Sequence, residues 1–187
     1  MKILIVGPSW VGDAVMAQSL YKTIENLNPE SKVDVLSPKW ASGVLNRMDQ
    51  INNLIISPFN RGDLKIKDRM SFGKSLRGRT YDQAIILTNS LKSSFIPFAA
   101  NIPRRTGWLG EMRYGLVNDI RKVNKVHDRL MIEKFSSLSP EPILEDDYEI
   151  PWPSLSVDPL NLSKLLEKFG FDKSSKSIAI CPGAEFG

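Results

Sequence analysis

The chain has 187 residues, 42% of them hydrophobic, which is enough for one α/β core and a fragment of a second. Its 25 basic and 21 acidic residues leave a net charge of +4, and with no recognition motif this excess does not indicate nucleic acid as a partner. A single cysteine and a single histidine exclude an internal disulfide, a zinc cluster and a histidine-based metal site, so no metal is expected.

The first thirteen residues, MKILIVGPSWVGD, have the pattern of a buried strand, a glycine-bearing turn and the start of a helix. The apolar run at 2–6 is too short for a signal peptide core or a membrane span, so we expect a soluble, cytoplasmic protein. Asp13 is expected at the carboxyl edge of the sheet, where α/β proteins bind ligands. The alternative is an acid in the first helical turn, stabilised by the helix dipole.

Strands and helices alternate along the chain. After the first strand, further strands are predicted at 32–36, 53–57, 84–88 and 105–108, and helices at 13–28, 39–47, 67–77, 90–100 (kinked or short because of Pro97) and 127–138. This alternation predicts an α/β fold in which helices cover both faces of a parallel sheet.

The composition changes at residue 140. Residues 140–157 are rich in proline and acidic side chains, which predicts an extended connection. A helix is predicted from Asp158, its N-cap, to Gly170, and a buried strand at 177–181 precedes a turn at 182–187. We expect residues 1–150 to form one domain and 158–187 to begin a second, incomplete one. Alternatively, the last strand joins the first sheet.

Residues 91–125 carry seven basic and two acidic side chains, interleaved with aromatic ones. The basic residues are Lys92, Arg104, Arg105, Arg113, Arg121, Lys122 and Lys125, and the aromatic ones are Phe95, Phe98, Trp108 and Tyr114. This combination suits an anionic membrane surface or a phosphorylated ligand. The alternative is a solvated rim whose aromatic residues pack in the core. His127 and Cys181 are expected to have no chemical role.

Four segments together carry a family resemblance: GPSWVGD at 7–13, TNSLKSS at 88–94, IPRRTGWLGEMRYGLVND at 102–119 and CPGAEFG at 181–187. In this order the chain resembles the bacterial heptosyltransferase family of GT-B glycosyltransferases. The resemblance implies a Rossmann-like N-terminal domain that binds the acceptor. Family members are longer, and CPGAEFG lies at the start of their nucleotide-sugar domain, so we expect this chain alone to be inactive.

The resemblance also implies an activity. The family transfers heptose from ADP-heptose, without a cofactor, to the first heptose of the lipopolysaccharide inner core, with inversion at the cytoplasmic face of the inner membrane. By resemblance, Asp13 is the general base. The implied acceptor contacts are Ser9, Gly12, Asn89, Ser90, Lys92, Arg104, Arg105 and Arg113, and the implied donor contacts are Gly183, Ala184 and Glu185. Phe95, Phe98 and Trp108 are candidates for contact with the bilayer.

The sequence is also compatible with three alternative functions. The chain could be a non-catalytic domain that binds anionic lipid or a protein partner. It could be an NAD-dependent oxidoreductase, although it lacks G-x-G-x-x-G, and Asp34, the candidate ribose-binding acid, lies inside a predicted strand. Within the family, a relative acting on the preceding sugar is the nearest alternative, and CPGAEFG argues against it.

Overall fold

The computed structural model describes residues 1–60, 62–124, 129–141, 143, 148–171, 176, 178, 180 and 183. The chain divides into two compact units, Met1–Leu155 and Ser156–Gly187. The division falls within the stretch 140–157 that the sequence predicts as a connection. No helix within the described ranges is both long and apolar enough to cross a bilayer.

A six-stranded sheet forms the centre of the first unit, with the order β3-β2-β1-β4-β5-β6 and every pair parallel. The strands are β1 (Lys2–Val6), β2 (Lys32–Ser37), β3 (Ile51–Ile56), β4 (Gln83–Ile86), β5 (Arg104–Trp108) and β6 (Asp119–Arg121). The predicted α/β fold with a parallel sheet is thereby confirmed. β6 was not predicted, because its three residues, DIR, lack the apolar run by which a buried strand is recognised.

Helices cover both faces of the sheet. The first unit contains α1 (Val11–Met16), α2 (Gln18–Leu27), α3 (Ser42–Leu45), α4 (Ile66–Ser75), α5 (Leu91–Ala99) and α6 (Met131–Ser136). Ile3 and Ile5 of β1 belong to one apolar cluster, which includes residues of α1, α2, α3 and α6. Leu4 and Val6 belong to the other, with residues of α5. Successive β1 side chains therefore point to opposite faces, as the pleat of a strand requires.

Several helices differ in extent from the prediction. The helix expected at 13–28 begins at Val11, and it is divided at Ala17, where the Leu20 N–H donates to the Ala17 carbonyl in a tighter i−3 bond. The segment 39–47 forms a 3₁₀ turn followed by the short α3. Within 127–138, α6 begins at Met131, because the Glu133 carboxylate accepts the Leu130 N–H and caps the helix there.

The second unit contains one helix among its described residues, α7 (Pro159–Lys168), close to its predicted position. The Asp158 carboxylate accepts the N–H groups of Leu160 and Asn161, and Gly170 has a φ of +65° just past the helix end. The buried strand predicted at 177–181 is wrong at Ile178 and Ile180, which belong to no strand and are 90% and 78% exposed. A strand needs a hydrogen-bonded neighbour, and the described part of this unit contains none.

The described end of the first unit, 148–155, is held against α2. Lys22 Nζ donates to the Trp152 carbonyl at 2.9 Å and to Ser154 Oγ at 2.7 Å. The Ser154 N–H donates to the Oε1 of the buried Gln18 at 2.7 Å. This stretch is extended, as predicted for the connection, but it is fastened to the domain rather than free in solvent.

A buried carboxylate joins the amino ends of three strands. Asp34 of β2 is fully buried and accepts hydrogen bonds from Tyr81 Oη at 2.6 Å, Asn52 Nδ2 at 2.8 Å and Asn53 Nδ2 at 3.0 Å. Burial alone would raise the pKa of Asp34, but these three donors and the charge of Lys2 outweigh it and hold the pKa below 3.8. Asp34 is therefore a structural group, located at the edge of the sheet opposite to the one where dinucleotides bind.

We expect Asp34→Asn to lower the free energy of unfolding at pH 7 by about 1–3 kcal/mol, the cost of disrupting a buried hydrogen-bond network. A depressed pKa stabilises the fold above the unfolded value of about 3.9, and this contribution is lost as the pH falls through the folded value. Urea titrations at pH 7 and below pH 4 should therefore show the difference from wild type shrinking in acid. Asp49→Asn, at an exposed position, is the control and should change little.

Candidate functional site

The strand order reverses at β1, which lies between β2 and β4. Segments leaving the carboxyl ends of these two neighbours part to opposite sides, and such switch points are where open α/β sheets form ligand clefts. A cleft of about 100 Å³ opens here. Its polar lining comes from residues at or beyond the strand ends, namely Ser9, Ser37, Ser57, Asn60, Thr88, Ser90 and Ser93, and its apolar floor includes Val6, Leu36 and Ile96.

Among the described residues, two cations and no acidic side chain line this cleft. Lys92, on the first turn of α5, forms no ion pair within the described residues. Arg69 of α4 is buried, with Nε donating to the Leu64 carbonyl and Nη2 to the Asp63 carbonyl, both at 2.8 Å. Its guanidinium carbon lies 4.3 Å from the centroid of the Phe59 ring. The cleft therefore has a positive field suited to an anionic group.

Two hydroxyl groups in the cleft lack a hydrogen-bond partner among the described residues. They are Oγ of Ser37, whose side chain is buried, and Oγ1 of Thr88, both in the cleft lining. Buried hydroxyls are nearly always bonded, because leaving one unpaired costs about 1–3 kcal/mol. Ligand oxygens could fill both positions.

The turn after β1 is held by a tryptophan. Trp40 Nε1 donates to the Ser9 carbonyl at 2.8 Å, and the Trp40 side chain is 50% exposed at the cleft. The Gly7 N–H continues the sheet by donating to the Leu36 carbonyl at 2.9 Å. A Cβ on Gly7 would lie 3.2 Å from that carbonyl oxygen, so glycine serves the close approach to β2 here.

Asp13 is in the first turn of α1, four residues beyond Ser9, and does not itself line the cleft. Its side chain is half-buried and pairs with no residue that the structure describes. Burial raises the pKa of Asp13 above 3.8, and no neighbouring donor offsets it. Gly12 beside it is exposed, with open space around its α-carbon, so a ligand can approach this turn.

The predicted acceptor residues fall into two groups. Ser9, Ser90 and Lys92 line the cleft, and Asn89 is exposed next to Ser90. Arg104 and Arg105 begin β5, where Arg104 is level with Gln83 at the start of β4. They therefore lie at the amino edge of the sheet, with Arg104 about 13 Å along the strand from the carboxyl end of β5.

Both of these arginines are engaged by the protein. Arg104 Nε donates to Asp119 Oδ2 at 2.9 Å, and Arg105 donates to the carbonyls of Leu116 and Ile102 at 2.7 and 2.6 Å. Burial opposes ionisation of Asp119, but donors that include Arg121 and Arg104 lower its pKa to about 2. The predicted role of Arg104 and Arg105 as acceptor contacts does not fit this geometry.

Arg113 is fully buried. Its guanidinium donates to the carbonyls of Thr88 and Trp108, so it presents nothing to a ligand in solvent. Trp108 is also buried and packs 5.9 Å from Phe135, which excludes the predicted contact with a bilayer. The sequence could not predict the burial of Arg113, because exposed and buried arginines look alike in a basic segment.

The predicted donor residues belong to the second unit. Gly183 is exposed with open space around it, whereas Ala184 and Glu185 lie outside the described residues, as do His127 and Cys181. No group of three or more His, Cys, Asp or Glu side chains within the described ranges could hold a metal ion.

The cleft lining also includes residues that the sequence did not indicate as site residues, among them Ser37, Trp40, Arg69 and Thr88. Two of them had a usable signal, since Ser37 ends β2 and Thr88 follows β4, and polar residues at the carboxyl ends of parallel strands face the binding edge. The sequence carries no such signal for Arg69, because its position in the cleft depends on how α4 packs against α5.

The chain is similar to proteins of a known family. The family model described as glycosyltransferase family 9 (heptosyltransferase) matches residues 69–187. Lipopolysaccharide heptosyltransferase 2 of Escherichia coli K12 is 44% identical over 100% of this chain and 55% of the relative. Lipooligosaccharide heptosyltransferase 2 of Haemophilus ducreyi is 42% identical, again over 100% and 55%. The chain thus spans about half the length of these relatives.

Solved structures are similar as well. The E. coli ADP-heptose lipopolysaccharide heptosyltransferase II has a TM-score of 0.88 and 41% identity, covering 100% of this chain and 56% of that one. A family 9 glycosyltransferase from Veillonella parvula has a TM-score of 0.78 at 12% identity, covering 97% and 55%. The second match shows the fold alone.

We expect an NMR titration of the Asp13 carboxyl carbon to give a midpoint above 3.8. A raised folded pKa means that the ionised carboxylate destabilises the fold at neutral pH, and that this penalty disappears as the pH falls. Asp13→Asn should therefore leave the Tm at pH 7 unchanged or raise it, whereas Asp34→Asn lowers it. A clear drop in Tm for Asp13→Asn would contradict the description of Asp13 as an unpaired, desolvated acid.

Proposed function

We propose, starting from the fact that this chain belongs to glycosyltransferase family 9 (heptosyltransferase), that its protein transfers heptose from ADP-heptose to the first heptose of the lipopolysaccharide inner core. The observation that carries the mechanism is the Asp13 carboxylate, which is half-buried, without a described partner and raised in pKa at the switch point of the sheet. Such a group fits the general base that an inverting transfer requires.

In the proposed reaction, the acceptor hydroxyl attacks the anomeric carbon of ADP-heptose from the face opposite the diphosphate. Asp13 takes the hydroxyl proton as the new C–O bond forms, and the bond to ADP breaks with its electron pair leaving on the diphosphate. The lack of a paired cation helps, because a neighbouring positive charge would lower the pKa of the carboxyl and weaken the base. Gly12 leaves room for the sugar beside the carboxylate.

We assign the acceptor to the cleft. By the family resemblance, the inner core of the proposed substrate carries phosphates and acidic sugars, and the described lining of the cleft contains Lys92 and Arg69 and no acidic side chain. Charge-assisted hydrogen bonds to such groups are stronger than neutral ones. The unpartnered hydroxyls of Ser37 and Thr88 fit sugar oxygens. Ser9, Asn89 and Ser90 remain proposed acceptor contacts; Arg104, Arg105 and Arg113 do not.

Donor binding is proposed for the second unit, together with the region that the relatives have outside their match to this chain. Gly183, Ala184 and Glu185 are assigned to the departing diphosphate by resemblance, through backbone N–H groups of the turn that the sequence predicts at 182–187. Because the chain spans 55% of its relatives, we propose that it does not turn over alone. Heptose transfer by the 187-residue chain would contradict this point.

The acceptor is anchored in a membrane, which calls for a surface that meets the lipid. The loop after β5 exposes Met112 by 82% and Tyr114 by 66%, with Leu109 also exposed. Lys122 follows in the same basic segment. Exposed apolar and aromatic side chains suit the interface of a bilayer. We propose that this loop meets the cytoplasmic face of the inner membrane, a part that the sequence had assigned to Phe95, Phe98 and Trp108.

Two variants separate the base from the binding residues in the full-length enzyme. Asp13→Asn should lower kcat at least about 100-fold, the usual contribution of a positioned general base, with little change in the acceptor KM. Lys92→Met should raise the acceptor KM about tenfold through loss of a charge-assisted hydrogen bond, with a smaller effect on kcat. Heptose transfer measured against acceptor concentration gives both constants.

Lys74→Met is the matched control, because Lys74 is an exposed lysine on α4 outside the cleft. Near-normal kcat in Asp13→Asn would remove Asp13 as the base. An unchanged acceptor KM in Lys92→Met would remove the cleft as the acceptor site while leaving the role of Asp13 open to its own test.

The non-catalytic alternative predicts lipid binding without transfer. We expect the double variant Met112→Glu, Tyr114→Glu to cosediment several-fold less with vesicles containing anionic phosphatidylglycerol than the parent chain does. Leu64→Glu, at another exposed apolar position outside this loop, is the control. Equal binding by the double variant would refute the loop as the membrane surface, and a full-length enzyme that binds vesicles but never transfers heptose would favour the alternative.

A further inference from the structure

One wall of the cleft is the segment 88–92, which leaves β4 and enters α5. Thr88, Ser90 and Lys92 all line the cleft. The first N–H groups of a helix have no partner within the helix, and a side chain at the N-cap usually accepts one of them. Ser90 occupies the N-cap of α5 but makes no such bond. The wall therefore depends on other parts of the molecule for its position.

Glu111 supplies the missing cap from a distant part of the chain. Its Oε2 accepts the Leu91 N–H, the first of α5, at 2.7 Å. A carboxylate at this end of a helix is also favoured by the helix dipole. Glu111 itself is exposed and has a φ of +43°, so the loop holds an unfavourable backbone conformation at the residue that makes this bond.

Arg113 fastens the start of the same wall. Its Nη1 donates to the Thr88 carbonyl at 2.7 Å, and its Nη2 donates to the Trp108 carbonyl at the end of β5. The side chain is fully buried, and burial lowers the pKa of Arg113 while the charge of Glu111 raises it. Carbonyl oxygens accept hydrogen bonds from both terminal nitrogens and offset part of the cost of burial, whereas Nε has no partner among the described residues. Two strand ends are thereby joined by one side chain.

Gly110 closes the third contact. A Cβ at this position would lie 2.7 Å from the Asn89 carbonyl oxygen and 2.9 Å from the Asn89 Cβ, distances that real Cβ atoms do not show. Only glycine therefore permits the two segments to approach this closely. Residues 110–113 thus contact 88–91 at three points, on Thr88, Asn89 and Leu91.

We propose that Gly110, Glu111 and Arg113 are positioning residues that set the geometry of the 88–92 cleft wall, and hence the affinity for the acceptor. None of them needs to touch the substrate. The effect on the acceptor rests on the proposed function, whereas the effect on the wall does not. If only a fraction of molecules holds the wall in its binding geometry, the apparent affinity falls by that fraction.

The wall itself is tested by hydrogen exchange on the 187-residue chain without substrate. Glu111→Ala should speed exchange of the Leu91 amide several-fold, while Glu111→Gln, whose amide oxygen can accept the same N–H, should restore most of the protection. Unchanged exchange at Leu91 in Glu111→Ala would overturn the proposal whether or not the protein is a transferase.

The consequence for the acceptor is tested by steady-state kinetics of the full-length enzyme. Glu111→Ala should raise the acceptor KM about fivefold, the factor that corresponds to a typical lost helix cap, with kcat and the donor KM nearly unchanged. Glu111→Gln should rescue it, and Gly110→Ala should raise the acceptor KM as well. Arg113 is left intact, since removing a fully buried guanidinium endangers folding.

Glu133→Ala is the matched control. Glu133 also accepts an N–H at the start of a helix, with its Oε2 accepting the N–H of Leu130, the N-cap of α6, at 2.6 Å, but it lines no part of the cleft. The Glu133→Ala substitution should lower the free energy of unfolding by a similar amount and leave the acceptor KM unchanged. An equal rise in KM for Glu133→Ala would reduce Glu111 to a general stabilising residue and overturn its positioning role. If Glu111→Ala alters the exchange of the Leu91 amide but the wild-type full-length enzyme transfers no heptose, the proposed function is refuted and the contact between Glu111 and the wall is still supported.

Discussion

The parallel pairing of β1 with β2 on one side and with β4 on the other is the constraint on which the structure depends. Both neighbours are hydrogen-bonded to this central strand, and apolar clusters cover its two faces. The segments that leave the carboxyl ends of β2 and β4 separate beside the end of β1. The cleft exists because this separation leaves space that no helix fills. Its polar lining follows from the same arrangement, since strand ends present turn residues rather than core residues.

The two aspartates of this sheet show how placement decides chemistry. Asp34 is buried among three donors, which lower its pKa and make it part of the framework. Asp13 is half-buried and receives no hydrogen bond from a described side chain, and burial raises its pKa. A carboxylate held in this unsatisfied state weakens the fold, and proteins keep such groups where a ligand uses them. In the cleft lining, the hydroxyls of Ser37 and Thr88 also lack a hydrogen-bond partner among the described residues.

The positive charge of the segment 91–125 is divided by the fold among three tasks. Arg104 binds Asp119 at the amino edge of the sheet, and Arg113 is buried between two strand ends. Lys92 alone among the predicted basic contacts reaches the cleft, where Arg69 from a different part of the chain joins it. A segment that looks like one basic patch in the sequence therefore contains arginines that the protein itself engages and one lysine that lines the cleft.

The sequence by itself determined the α/β class, the position of the acid after the first strand, and the capped helix from Asp158 to Gly170. These features depend on local periodicity and on hydrogen bonds between residues close in the chain, so a linear reading recovers them. The tertiary structure alone decided which arginines are buried, that β6 extends the sheet, and that Glu111 caps a helix twenty residues earlier. Those outcomes depend on strand order and on contacts between distant segments. The residue type of a side chain does not determine which distant segment it contacts.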